Sequence, residues 1–524
     1  MRLQPASTCR AARGAVCAVD HLAAQAGLAM LLSGGTAGDA AVATSAVLAV
    51  TTQHLCGMGG DLLAVVAPPG ESPLALNASG RAGSGADPER LRAEGHRVMP
   101  ARGDIRSVTV PGCVDGWLAL HQRFGRLPME KVLGPARQYA TEGFPASPTL
   151  VGAIPEVAGL PDAADFVVRG PLRPGRIIRR PGVARALSAI ADSGRHGFYE
   201  GEFGERLLRL GEGEFVPSDL ASPLADWSPA LGAGALGHRL WTVPPNSQGY
   251  LTLASAWMAS DLDLPADTDD PGWAHLLIEA SRQAAYDRLE VLHEGADGEA
   301  LLAPSRLLPR QAAIDPARAA VLPDRYREGG TIALTAVDRD RLGIALVQSN
   351  AAGFGSHLIV PGVRIFLQNR GIGFSLEPGH PAEYRPGRRP PHTLSPAAVT
   401  TPDGTLAGVL GTMSGDSQPQ ILLQLLARWL HGGESPGAAI AAGRWALAAG
   451  GGFETWRQRG VVRVLVEGHS PSSWPDGLAA RGHEVEELAP FSHSFGHAHL
   501  IAVADDHLAA ASDPRPRFGA AVGY

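Results

Sequence analysis

Hydrophobic positions change their rhythm along this chain. Residues 18–52 carry apolar side chains at helical spacing in "AVDHLAAQAGLAMLL" and again in "DAAVATSAVLAVTTQ", with "SGGTAGD" between them. The pattern predicts two helices parted by a glycine turn. Asp39 falls near the start of the second, where a carboxylate meets the orphan N–H groups and the positive end of the helix dipole. "HLCGMGGDLLAVVAPP" then reads as a glycine turn feeding a strand, and "SPLALNASGRAG" as a strand running into a polar loop with Arg81. From about 110 to 300 the pattern predicts mostly helix, most clearly in "PGCVDGWLALHQRFG" and "PGWAHLLIEASRQAAYDRLEVL". After Gly330 the period shortens. "TIALTAVD", "GIALVQS" and "VRIFLQN" read as short strands, "PAAVTTPDGTLAGVLG" as a hairpin turning on Asp-Gly, and "QPQILLQLLARWLHGG" as a helix. Strands and helices then alternate to the end. Helices lead, strands cluster and helices return, which suits sheets packed face to face under helices.

Composition narrows the class. The chain has 524 residues, 45% hydrophobic and 19% charged, enough for one large core or two linked ones. The net charge of −7 is scattered and no basic stripe appears, so nucleic acid is not an expected partner. The four cysteines, Cys9, Cys17, Cys56 and Cys113, form no CxxC pair and read as buried thiols. "MRLQPASTCRAARGAVCAVD" lacks the apolar core of a secretory signal and "AGLAMLL" is too short to cross a bilayer, so the expectation is a soluble cytoplasmic protein with no membrane partner.

Candidate chemistry centres on "EGGTIALTAVD", residues 328–338, where two glycines run into Thr331 at the mouth of a strand. The bland reading is a turn and a good strand starter. The chemical reading notes that an alcohol is a weak nucleophile without an adjacent base. Cutting the Gly330–Thr331 bond would give Thr331 a free α-amine, whose reference pKa of about 7.7–8.0 suits it to take the hydroxyl proton. The flanking glycines would let the backbone reach the geometry of self-cleavage.

Context favours the chemical reading. "GGTAGDAAVATSAVLAVTTQHLCGMGGDLLAVV", "SVTVPGCVDGWLALHQRFG", "PPNSQGY", "HLLIEASRQAAYDR", "QSNAAGFGSHLIVPGVRIFLQNRGIGFS", "RPPHTLSPAAV" and the terminal "SDPRPRFGAAVGY" resemble, in order, the signatures of the γ-glutamyltranspeptidase family. The resemblance implies an N-terminal-nucleophile hydrolase: an α+β fold, a four-layer αββα sandwich, made as one chain that cleaves itself. The large subunit would be 1–330 and the small one 331–524, interleaved, with Gly330 and Thr331 flanking the cut. Matched residue by residue, it implies Thr331 as nucleophile and Ser349 as the second hydroxyl. Ser414 and Gly415 would be the oxyanion donors. Arg81, His392 and Thr393 would contact a substrate carboxylate. It implies no metal or organic cofactor, and as partners a small-molecule substrate and the two subunits of one precursor, with a homo-oligomer left open.

Three departures bear on specificity. Family transpeptidases hold the glutamyl α-amino group with an acid just before "FS", where this chain has Gly373; the polar pair is His-Thr rather than Ser-Ser; and the first oxyanion glycine is Ser414, whose Cβ would crowd a positive φ. The style resembles the acylase-like branch, linked to glutaryl or oxamic amides. The leading expectation is therefore hydrolysis or transfer of a small carboxylate-bearing amide, γ-glutamyl or acyl, through an acyl-enzyme. The alternatives are a C–C bond hydrolase of specialised metabolism on the same threonine, and an unprocessed noncatalytic scaffold. His493, His497 and His499 in "FSHSFGHAHL" have a spacing that could suggest a metal, but no Cys is near and Glu486 and Glu487 fit no ligand spacing, so they read as structural; the basic runs "RIIRR" and "RPGRRPP" read as solvated loops, with Arg388 and Arg389 near enough to His392 to influence an anion.

Overall fold

A computed structural model of the protein describes residues 7–167, 170–323, 330–448 and 462–524. Glu328 and Gly329 of the stretch before Thr331 lie outside the described residues.

Helices His21–Leu32 and Ala37–Thr51 flank the expected turn. Asp39 occupies the third position of the second helix and closes a capping box: its carboxylate accepts the Thr36 N–H at 2.9 Å while the Thr36 hydroxyl accepts the Asp39 N–H at 3.3 Å.

Among the described residues, fourteen strands build two large antiparallel sheets. Across the first run Ala520–Gly523, Ala15–Ala18, Gly330–Val337, Gly343–Ala351, Asp61–Ala67, Leu74–Ala78 and Asp226–Pro229. Across the second run Cys9–Ala11, Leu508–Ser512, His499–Val503, Leu406–Gly411, Ala397–Thr400, His238–Thr242 and Leu231–Ala235. Each sheet therefore mixes strands from both sides of residue 330.

Period-two alternation stacks the layers. Ala333, Val337, Ala345 and Val347 of the first sheet meet Val409, Ile501 and Leu508 of the second in one apolar cluster between the sheets. Their neighbours Ile332, Leu334, Ile344 and Leu346 face outward under Ala37–Thr51 and adjoining helices. The outer face of the second sheet, with Val399, Leu410 and Leu500, lies under Tyr250–Ser260, Pro271–Ala285 and Gln418–Leu426. This is the αββα sandwich expected from the resemblance.

The middle of the chain is mostly helical, as expected, and also supplies edge strands: Asp226–Pro229 ends one sheet, and His238–Thr242 and Leu231–Ala235 end the other. Glycine, proline and tryptophan in these short segments hide their alternation. The basic runs are not simply solvated. Arg180 is fully buried, donating to the Arg364 carbonyl at 2.6 Å, and Arg389 is buried with Nη1 2.7 Å from Asp226 and Nε on the Ser79 carbonyl. Both guanidiniums satisfy interior carbonyls, a task their five donors suit.

Cys17, Cys56 and Cys113 are buried, Cys9 half-buried, and all are free thiols. No described helix is long and apolar enough to cross a membrane.

Candidate active site

Thr331 enters from the strand Gly330–Val337, whose odd positions face the opposite sheet. The antiparallel register with Gly343–Ala351 shifts between Gly330 and Ile332, and this irregularity lies where Thr331 and Ser349 meet. Both side chains are fully buried and their hydroxyl oxygens lie 3.3 Å apart. Each donates to the same acceptor, the Gly330 carbonyl, at 2.7 Å from Thr331 Oγ1 and 2.6 Å from Ser349 Oγ. Ser349 Oγ also accepts the Ala351 N–H at 2.8 Å, which fixes its rotamer. The carbonyl preceding the candidate nucleophile is thus held by two hydroxyl donors.

Ser414 and Gly415 follow the strand Leu406–Gly411 of the second sheet. Ser414 adopts φ 109° and ψ 45°, the positive-φ conformation that burdens a residue with a Cβ. Its hydroxyl donates to the Ser494 carbonyl at 2.9 Å, which offsets part of that cost. Among the described residues neither the Ser414 nor the Gly415 N–H donates to another group, and Gly415 borders the cavity described next. Gly415 is held from behind: Gln248 Nε2 donates to its carbonyl at 3.0 Å, Gln248 Oε1 accepts from Arg288 at 2.7 Å, and Arg288 pairs with Asp416 at 2.7 Å. These three supporting residues escaped the sequence reading, although Gln248 sits inside the "PPNSQGY" signature.

A cavity of about 1050 Å³ opens beside Gly415 and takes in Gly373, His392 and Thr393. Arg81 is not among its lining residues. Its guanidinium pairs with Glu294 at 2.6 Å and donates to the Gly387 carbonyl at 2.9 Å, so its charge is already matched. His392 borders the cavity with both ring nitrogens engaged: Nε2 lies 3.0 Å from Asp61, and Nδ1 accepts the Leu394 N–H at 3.3 Å. Burial, and then the nearby Arg370 charge, push the His392 pKa down to about 4, so the ring is neutral at pH 7. Gly373 has no room for a side chain, since a Cβ there would stand 2.7 Å from the Pro391 carbonyl oxygen. An acid at this position would displace backbone.

Arg370, three residues before Gly373 in the same motif, was not singled out from sequence. It is 4% exposed and lines the cavity, with Nη1 3.2 Å from Thr393 Oγ1 and Nη2 3.4 Å from Ser349 Oγ. It links the Thr331–Ser349 pair to the cavity.

Elsewhere, His275, Glu279 and His483 bring three donor atoms within 4.8 Å. His275 Nδ1 and His483 Nε2 are hydrogen-bonded at 2.8 Å, and Glu279 is held by Arg282 at 3.0 Å, so the group already satisfies itself. His493 Nδ1 and His497 Nε2 likewise pair at 2.7 Å.

The family model described as gamma-glutamyltranspeptidase matches residues 23–523, nearly the full length. The chain belongs to the γ-glutamyltranspeptidase family. Similar relatives within it include the oxamate amidohydrolase proenzyme of Klebsiella pneumoniae subsp. pneumoniae, 35% identical over 98% of each chain. The glutathione hydrolase-like YwrD proenzyme of Bacillus subtilis is 33% identical over 96% of this chain and 97% of its own. The solved cephalosporin acylase of Bacillus halodurans superposes with a TM-score of 0.90 at 30% identity, covering 100% of this chain and 98% of its own. This transpeptidase-family protein is an enzyme of the hydrolase type, which sets aside the noncatalytic scaffold.

Proposed function

We propose that the protein is a self-processing threonine amidohydrolase acting on a small acyl amide that bears a carboxylate. The observation that carries this reading is the convergence of the Thr331 and Ser349 hydroxyls on the Gly330 carbonyl oxygen. In the precursor, Thr331 Oγ1 attacks the Gly330 carbonyl carbon, its proton passes to the Thr331 nitrogen as the C–N bond opens, and an ester replaces the amide. Ser349 donates to the oxygen as negative charge develops on it. Water then hydrolyses the ester, giving a chain that ends at Gly330 and a second that begins with a free Thr331 amine.

In turnover the same hydroxyl attacks the substrate amide. The Thr331 amine takes the hydroxyl proton and passes it to the leaving amine, while the Ser414 and Gly415 N–H groups receive the oxyanion. Water resolves the acyl-enzyme. The oxamate amidohydrolase and acylase relatives support an acyl group other than γ-glutamyl. So does the closed space at Gly373, which leaves no acid there for a glutamyl ammonium.

Intact mass and end-group sequencing test the proposal. Wild-type protein is expected as two chains, one beginning Thr-Ile-Ala-Leu, with turnover on a panel of oxalyl, glutaryl and γ-glutamyl amides. Thr331→Ala is expected to remain one 54.5 kDa species without turnover. Cleavage at this bond in Thr331→Ala would defeat the assignment.

A further inference from the structure

Nine arginines are buried among the described residues. Eight of them hold a carboxylate within 4.0 Å. Arg370 is the exception. Its two contacts are neutral hydroxyls, those of Thr393 and Ser349, and its Nε has no hydrogen-bond partner. The carboxylates whose charge reaches it, Asp61 and Asp416, are taken elsewhere. Asp61 accepts from His392, the Gly80 N–H and Gln368, and Asp416 pairs with Arg288. A guanidinium held in the interior without a contact ion pair is unfavourable unless a ligand completes it. Arg370 lines the cavity, so a ligand can reach it.

We propose that Arg370, and not Arg81, is the anchor for the substrate carboxylate, and that this carboxylate lies within one or two carbons of the scissile carbonyl. The proposal rests on Thr331 being the nucleophile. Arg370 is two hydrogen-bond steps from the Thr331 hydroxyl, through Ser349. A carboxylate seated on its fork therefore brings only a short acyl chain to the nucleophile. The acyl class is an oxalyl-type or malonyl-type monoamide. An α-ammonium is selected against, because it would approach an uncompensated guanidinium where Gly373 offers no acid and no space for one. Recognition of a planar carboxylate by a fixed two-pronged donor also explains why Arg suits this position better than Lys.

The test compares wild type, Arg370→Lys and Arg370→Met at equal concentrations of processed enzyme. The readout is the ratio of kcat/KM for an oxalyl monoanilide to kcat/KM for its neutral methyl ester. Arg370→Met is expected to lower that ratio about 100-fold, the effect of losing a charge-assisted pair. Arg370→Lys should fall between, and added guanidinium should recover part of the loss in Arg370→Met. Because the variant removes an unmatched charge, it should melt no lower than wild type without ligand, and millimolar oxalate should raise the melting temperature of wild type alone. An unchanged ratio, or an oxalate shift retained in Arg370→Met, overturns the anchor. A wild-type preference for glutaryl or γ-glutamyl over oxalyl amides overturns the short-acyl assignment. Failure of the nucleophile assignment looks different: wild type would show no chain beginning at Thr331.

Discussion

Replacing Ser349 by alanine removes one of the two donors on the Gly330 carbonyl while leaving the Thr331 hydroxyl in place. In the ground state a neutral hydrogen bond of this kind contributes about 1 kcal/mol. As Thr331 attacks, the carbonyl oxygen gains negative charge and the same donor becomes worth more. Deleting one oxyanion donor costs about 2.7–4 kcal/mol, or about 10²–10³ in rate. Self-cleavage of Ser349→Ala should slow by that factor. The variant also orphans the buried Ala351 N–H, which donates to Ser349 Oγ at 2.8 Å, so it should lose about 1–3 kcal/mol of stability. The assay is a time course of the 54.5 kDa species by intact mass after purification from a short expression pulse, with denaturant unfolding in parallel. Ser349→Thr, which keeps a hydroxyl, separates chemistry from packing and should process faster than Ser349→Ala. Cleavage of Ser349→Ala within threefold of wild type would refute the reasoning, because the donor at 2.6 Å would then contribute nothing to the barrier.

Three further outcomes are expected. Gly373→Asp should not install γ-glutamyl hydrolysis; with a Cβ forced to 2.7 Å from the Pro391 oxygen it should lose about 1–3 kcal/mol, and γ-glutamyl anilide turnover at an unchanged melting temperature would contradict this. Ser414→Gly exchanges relief of positive φ for loss of the Ser494 contact and a floppier unfolded chain, so stability should stay within about 1 kcal/mol and kcat within about tenfold. A fall in kcat beyond about 100-fold would mean that the hydroxyl, not the N–H, meets the oxyanion. Burial holds the pKa of His392 and of His499 at about 4, below the ordinary 6.5, so both rings stay neutral in the fold while the unfolded chain takes up protons. Stability is then full above pH 6.5 and falls as pH drops toward 4, by up to about 1.4 kcal/mol per unit for each ring; a flat urea midpoint from pH 7 to 4.5 would disprove it.

The αββα layering was legible because the strands around Thr331 alternate cleanly: Ala333, Val337, Ala345 and Val347 inward, Ile332, Leu334, Ile344 and Leu346 outward. Motif resemblance alone points to Thr331, Ser349, Ser414 and Gly415, each in a contiguous signature, and the fold sets the Thr331 and Ser349 hydroxyls 3.3 Å apart. Edge strands such as Leu231–Ala235 were not, because "LGAGA" has too few large side chains to show a period. Arg370 escaped notice for another reason. Its distinction is the lack of a contact carboxylate while the other buried arginines have one, and its neighbours Thr393 and Ser349 meet it only after folding. For Arg81 the fold adds what no local pattern announces: Glu294, 213 positions away, pairs with its guanidinium.

Gly330–Val337 is hydrogen-bonded to Ala15–Ala18 on one side, and its hairpin partner Gly343–Ala351 to Asp61–Ala67 on the other. If the Gly330–Thr331 link opens as proposed, the fragments stay laced through both ladders, and the nicked molecule should melt as a single cooperative body. Refolding is another matter. The intact precursor closes these ladders within one chain, whereas the two pieces must find each other in solution, so recovery after denaturation should become concentration-dependent. Maturation would then act as a ratchet, leaving a molecule that persists by slow unfolding rather than by easy reassembly.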